Sequence, residues 1–371
     1  TDWNTGTNWC GGAVPTSSTD VVIQSGTPFQ PTISVASVCR DITINSGATL
    51  TMSGTSGLSV SGNWTNNGTF TTATTNSVTF NGDGASTTQV IAGSTASNFR
   101  TLTIATGAKV RNDVASTSAT FNVNGTGYFI HNVVGTLPGT TTRTFNNTGA
   151  PATQSTIEYQ NNTANTAPIL ANYGNLIINL NYTNNVGSGG NLISIGGDLI
   201  VKNTGGFELR FVTTQATTHN IGGKLSVEGP NAILVINSGA SGTGTPIVNI
   251  AGDLNISAGT FDLGSGTGTP TVNISGNVNL SGGTLKRTNA AVVTMNVPGT
   301  WTNNGGTFTS ANTTVNFNGS TAQSILGSAA TTFNNLTLNN SNGLSLGSGV
   351  DATVTGTLTL TSGVITTNAN K

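Results

Sequence analysis

Charge is what this sequence has least of. Of 371 residues only 11 are basic and 12 acidic, a net charge of −1 at pH 7, against roughly a quarter charged in ordinary soluble domains. No basic stripe exists to displace counterions from phosphates, so nucleic acid is excluded as a partner. Anionic membrane surfaces fall to the same argument. Long apolar runs are missing too: the longest aliphatic run is Ala232 to Ile236, whereas a membrane-spanning helix needs roughly 20 such residues, and membrane insertion is not expected. The first residues form no basic n-region and apolar h-region, so any export signal is expected upstream or already removed.

Groups that carry chemistry are nearly as sparse. His131 and His219 are the only histidines, each among apolar or Thr-rich neighbours, and neither has the Ser and Asp partners of a nucleophilic triad. The two cysteines, Cys10 and Cys39, have no further Cys or His nearby to complete a zinc site. In an oxidising compartment they would form one disulfide across the first coil, the alternative being two free buried thiols. The acidic residues are isolated, with no DxD or ExxH pair and no calcium-binding GGxGxDxUx repeat. No cofactor or metal is called for.

What is abundant is Gly, Thr, Asn and alternation. Gly and Pro total 60 residues, short of the roughly 25–30% of disordered low-complexity chains. Apolar residues alternate with Thr, Ser and Asn, the period of strands, and no stretch sustains a helical period. One phrase recurs: IGGDLIV from Ile195, IGGKLSV from Ile221, IAGDLNI from Ile250, ISGNVNL from Ile274, VPGTWTN from Val297 and VTGTLTL from Val354. A period of this length is too short for propeller blades, and no helical half accompanies it as leucine-rich repeats require. The expected fold is all-β: a right-handed parallel β-helix (β-solenoid) with roughly 23–29 residues per coil. An N-terminal cap and first coil or coils are expected over 1–45, with Trp3 and Trp9 folding over the stack. The β-helix is expected over 46–371 and beyond the C-terminal residue.

Aligned on the phrase, one stacked core slot contains Trp64, Leu199, Leu225, Leu254, Val278, Trp301 and Leu358. A second slot, seven residues on, contains Phe261, Leu285 and Ile365. The glycine before the first slot, as in Gly197, Gly252 and Gly276, is expected at a corner that takes positive φ. The residue just before the slot reads Asp198, Lys224, Asp253, which predicts a charge ladder between adjacent coils. The chain writes one stretch nearly twice, as GNWTNNGTF (Gly62 to Phe70) and GTWTNNGGTF (Gly299 to Phe308). The slot turns both indoles inward, as core rather than as sugar-stacking platforms. It also places Asn66 and Asn303 at the next inward position, where either the strand turns early or each amide caps a corner. A longer duplication surrounds them: SVTFNG…QVIAG…FRTLTI (Ser77 to Ile104) matches TVNFNG…QSILG…FNNLTL (Thr314 to Leu338). GASGTGTP (Gly239 to Pro246) and GSGTGTP (Gly264 to Pro270) read as matching corner loops.

The opening WNTGTNWCGGAVPTSSTDVVI, the DITINSGATLTMSG that follows Cys39 and the late GVDATVTGTLTLTSGVITTNAN together resemble the parallel β-helix region of large secreted surface proteins and adhesins of Bacteroidota-type bacteria. The resemblance implies export by type IX secretion and a place outside the cell or on its surface. It specifies a scaffold, not an activity. The functional expectation is therefore a non-enzymatic structural or adhesive rod that gives reach, rigidity and many weak contacts. Its expected partners are glycans or matrix components, and other copies through self-association into filaments. The alternative is a polysaccharide-binding or polysaccharide-cleaving β-helix, which requires a groove with two carboxylates or a cation beside one.

Overall fold

A computed structural model describes residues 1–82, 87–160, 172–187, 192, 194–212, 216–238 and 244–367. Its strands stack in parallel as a β-solenoid of about 14 turns with about 22 residues per turn. The alternation in the sequence is the cause: in strands such as Thr49–Met52, Gly57–Val60 and Thr271–Ile274, every second side chain is buried and those between face outward. Neighbouring turns then pair strand to strand, and inward side chains at matching register positions form columns.

The chain packs as two compact units. The first comprises Thr1–Asn162 with Asn172–Gly174, and the second is chiefly Asn175–Lys371. In the first unit one face is built from Val21–Ile23, Ile42–Ile44, Trp64–Asn66, Thr88–Ala92, Lys109–Asn112, Tyr128–His131 and Thr156–Gln160. A second face runs from Ser37–Cys39 through Gly57–Val60, Ser77–Phe80, Asn98–Ile104 and Thr117–Val123 to Thr142–Phe145. In the second unit the corresponding long face runs from Asn175–Asn179 to Ile365–Thr366.

The expected core slot is present as a column. Leu199, Leu225, Leu254, Val278 and Trp301 are register partners in succession, each fully buried. Ile325 and Leu346 extend the same column. In the first unit Trp64 occupies the matching face between Ile42 and Ile91, also fully buried. The second slot stacks Leu209, Leu234, Phe261, Leu285 and Phe308.

Several expectations are corrected. Leu358 is not in the slot: its strand, Leu358–Ser362, belongs to a different face and pairs with Asn335–Asn339, putting Leu358 beside Leu336. That strand is the last of its sheet among the described residues, and Leu358 is 48% exposed. Ile365 likewise leaves the second slot and pairs with Leu344 on the long face. The imitation arises because VTGTLTL has the same corner followed by the same alternation, one face earlier.

The period is also wider than the recurring phrase suggested, from the 19 residues separating Asn112 and His131 to the 29 separating Leu225 and Leu254. The difference falls in the corners, where added residues do not disturb the columns. Finally, the expected disulfide is not formed, and both cysteines are free. Cys39 points inward from Ser37–Cys39 and is fully buried, whereas Cys10 is exposed in the N-terminal segment. That segment is fastened differently: Trp3 is buried, its backbone N–H donates to Thr32 O at 2.9 Å, and its ring meets Trp9 edge-on at 4.8 Å.

Candidate functional site

The predicted charge ladder is a hydrogen-bond ladder. Asp198 Oδ1 accepts the backbone N–H of Lys224 at 2.9 Å, and Asp253 Oδ1 accepts that of Asn277 at 2.7 Å. Uncharged residues do the same work: Asn175 Oδ1 accepts from Asp198 N and Asn277 Oδ1 from Thr300 N, both at 2.9 Å. In the first unit Asp41 Oδ1 accepts from Asn63 N at 2.6 Å and Asn63 Oδ1 from Val90 N at 2.8 Å. Among the described residues, Asp198, Lys224 and Asp253 form no ion pair with one another.

This geometry explains the glycine of the recurring phrase, which is there for space rather than for positive φ. A Cβ on Gly276 would lie 2.3 Å from Asp253 Oδ1, and one on Gly62 would lie 2.0 Å from Asp41 Oδ1. The side-chain oxygen of one turn reaches the N–H after the glycine of the next, and only a residue without Cβ lets it through. Sequence reasoning missed this, although the signal was visible as Gly followed by Asp or Asn at the corner.

The outward faces are laddered as well. On the face containing Ile247–Ile250 and Thr271–Ile274, the amides of Asn220, Asn249, Asn273, Asn296 and Asn316 join in one chain at 2.7–3.0 Å. Each amide after Asn220 donates to the one before it, so the turns are bonded without charge, and at the end of the column Asn316 Oδ1 is buried with no partner among the described residues.

The duplicated segment builds the same object in each unit. Around Trp64 lie Phe70 at 4.7 Å and Phe99 at 5.2 Å, with Phe80 against Phe99 at 6.4 Å. Around Trp301 lie Phe308 at 4.9 Å and Phe333 at 5.2 Å, with Phe317 against Phe333 at 6.1 Å. A buried glutamine clamps the corner in both copies. Gln89 Nε2 donates to Val60 O and Gly62 O, and Gln323 Nε2 to Val297 O and Gly299 O. The puzzle of Asn66 and Asn303 resolves as corner capping: their Oδ1 atoms accept from Gly68 N at 3.1 Å and from Gly305 N at 3.2 Å.

Where the two copies differ, the first carries a groove. Asn98–Ile104 and Thr117–Val123 start three residues before their outer neighbours, whose pairing begins only at Thr101 and Thr120. This overhang lines a cavity of about 430 Å³ together with Thr72, Ala73, Thr74 and Thr140, within the roughly 300–1,000 Å³ of small-ligand sites. Among the described residues, none that lines it is acidic. Its one cation, Arg100, is exposed and donates Nε–H to Thr74 O at 2.8 Å. Its two terminal nitrogens have no hydrogen-bond partner among the described residues. Ser118 on the strand Thr117–Val123 and Ser116 just before it have buried Oγ atoms without partners among the described residues. At the equivalent positions the second copy has Asn334, Ala352 and Val354, by the match of Phe99 with Phe333 and of the pairs Phe99–Ser118 and Phe333–Val354.

The remaining candidates are structural. His131 and His219 are buried against Tyr159 and Phe211 respectively, with one ring nitrogen of each on the carbonyl of Gly135 or Leu192. Burial lowers both pKa values below the ordinary histidine range, against the opposing pull of those hydrogen bonds. The Cys39 thiol is pushed up to about 12 by burial, with Asp41 and Asp20 adding to the effect. Arg287 is buried and organises the corner loop at Gly264–Pro270, donating to the carbonyls of Gly264, Gly266 and Gly268. Most of its proposed partner loop, residues 239–243, lies outside the described residues.

Compared with known proteins, residues 1–103 match the family described as a domain of unknown function (DUF8693). No curated protein and no solved structure matches the chain.

Proposed function

We propose that the chain is a non-enzymatic structural and adhesive β-solenoid that acts outside the cell or on its surface. It supplies reach and stiffness and makes many weak contacts with glycans, matrix components or other solenoids. The observation that carries this reading is the hydrogen-bonded laddering of the faces. The Asn220-to-Asn316 column and the Asp/Asn corner ladder lock turn to turn, so stiffness is distributed along each stack rather than concentrated in one core. The same faces present Thr and Asn groups at strand spacing, where individually weak hydrogen bonds multiply through avidity. The resemblance to secreted surface β-helix regions supports the extracellular placement.

A polysaccharide-binding role is favoured by the groove at Arg100, which is concave, polar and free of acidic lining. Cleavage would require a pair of carboxylates flanking a bound chain, or a carboxylate beside the Arg100 cation. The test is incubation of the protein with a panel of insoluble and soluble polysaccharides, followed by co-sedimentation and reducing-end analysis. Retention without new reducing ends is expected. Release of shortened chains would replace this reading with the enzymatic one.

A further inference from the structure

We propose that the groove beside Arg100 binds a carboxylate-bearing sugar, a hexuronate unit within an acidic polysaccharide. This rests on the reading of the chain as a glycan-contacting module and names the chemistry of one site in it. Both units build the same tryptophan–phenylalanine cluster, the same glutamine clamp and the same capping asparagine. The scaffold therefore forms equally well with Asn334 as with Arg100, and folding alone does not ask for a cation there.

Arg100 is held by its Nε–H on the Thr74 carbonyl, at 2.8 Å. That bond fixes the guanidinium plane and leaves both terminal nitrogens to donate as an end-on fork. A fork of two parallel N–H groups matches the two oxygens of a carboxylate. Around it stand Thr72, Asn98, Thr117 and Thr140; the three hydroxyls donate to Asn98 O, Asn98 Oδ1 and Ser118 O, which leaves their lone pairs to accept from sugar hydroxyls and Asn98 Nδ2 to donate to them. The absence of acidic lining removes the repulsion that an anionic polymer would otherwise meet, and a net charge of −1 offers no general attraction in its place. Selectivity therefore falls on one residue.

The test is isothermal titration of the full chain with a tetragalacturonate, a neutral tetrasaccharide, a sulfated tetrasaccharide and free galacturonate. The expected order places tetragalacturonate first, with weakening as salt rises. Arg100→Gln is expected to lower tetragalacturonate affinity at least tenfold, Arg100→Lys to give an intermediate loss, and neither to shift the thermal midpoint. Equal binding of the neutral and acidic tetrasaccharides, or unchanged affinity in Arg100→Gln, would overturn the site. Tighter binding of the sulfated ligand would overturn the carboxylate assignment. Neutral glycan binding that ignores Arg100 would leave the module reading intact while removing this groove from it. A lack of binding to any glycan or matrix material would remove both.

Discussion

Gly93 packs so closely against Asn66 that a Cβ at position 93 would lie 2.0 Å from the Asn66 carbonyl oxygen. Gly327 stands to Asn303 in the same way, at 1.9 Å. Both glycines also have strongly positive φ, 122° and 123°. Strain and overlap add at such a position. Gly93→Ala and Gly327→Ala are each expected to cost at least about 2 kcal/mol, measured by urea denaturation. A loss below half of that would show that the corner relaxes and that the duplicated geometry is not required.

The corner ladder separates hydrogen bonding from charge. Asp253 accepts the Asn277 N–H through Oδ1, and elsewhere in the ladder asparagine does the same for Thr300. Asp253→Asn is therefore expected to be nearly neutral, and Asp253→Ala to cost about 1–2 kcal/mol. If the two variants lose equal stability, the carboxylate charge matters and the ladder has been misread.

The two tryptophans differ in one contact. Trp64 Nε1 donates to Ser97 Oγ at 2.8 Å, and Asn66 Nδ2 reaches the same oxygen at 3.2 Å. Among the described residues, Trp301 Nε1 is buried without a partner, and Thr331 Oγ1 receives only Asn303 Nδ2, which also bonds Ala330 O. Ser97→Ala is expected to cost about 1–3 kcal/mol, because it leaves an indole N–H unpaired, and Thr331→Val less than about 1 kcal/mol. The order of the two losses in denaturant titrations is the readout, and its reversal would contradict these hydrogen bonds.

Acid should weaken the fold before the carboxylates titrate. His131 and His219 are buried with lowered pKa values, so on acidification the unfolded chain takes up protons at its ordinary histidine pKa of roughly 6.5 while the native chain does not. Stability is fully present above that pH and falls as pH drops below it, at about 1.4 kcal/mol per pH unit per histidine until the folded groups also protonate. A thermal midpoint unchanged between pH 7 and pH 5 would refute this, as would imidazole NMR resonances of the native protein that titrate at the ordinary value.

Thiol counting checks the cysteines. Without reductant, Cys10 is expected to react with a thiol reagent in the native protein and Cys39 only after unfolding, because Cys39 is buried and its thiol is raised to about 12. Detection of no free thiol in the unfolded, unreduced chain would restore the disulfide.

Strand alternation and the recurring phrase by themselves determined the all-β solenoid and the column from Leu199 to Trp301. An inward slot is a local property: period-two burial and a fixed corner place it wherever the phrase occurs. The phrase could not say which face of a turn it had reached, and so Leu358 and Ile365 were misplaced. That is a matter of counting corners, and corner lengths vary without a local signature. The Asp198, Lys224 and Asp253 positions were legible as a ladder, but their chemistry was not. Whether a carboxylate meets an ammonium or a backbone N–H depends on how closely two turns approach at Gly252 and Gly276. The groove was hidden for the same reason: Arg100 is an unremarked residue in FRTLTI until two overhanging strands and the Thr72–Thr74 corner surround it. Sequence alternation determined what lies inside. Only the stacking of turns distant in sequence decided which polar groups are satisfied and which are left facing out.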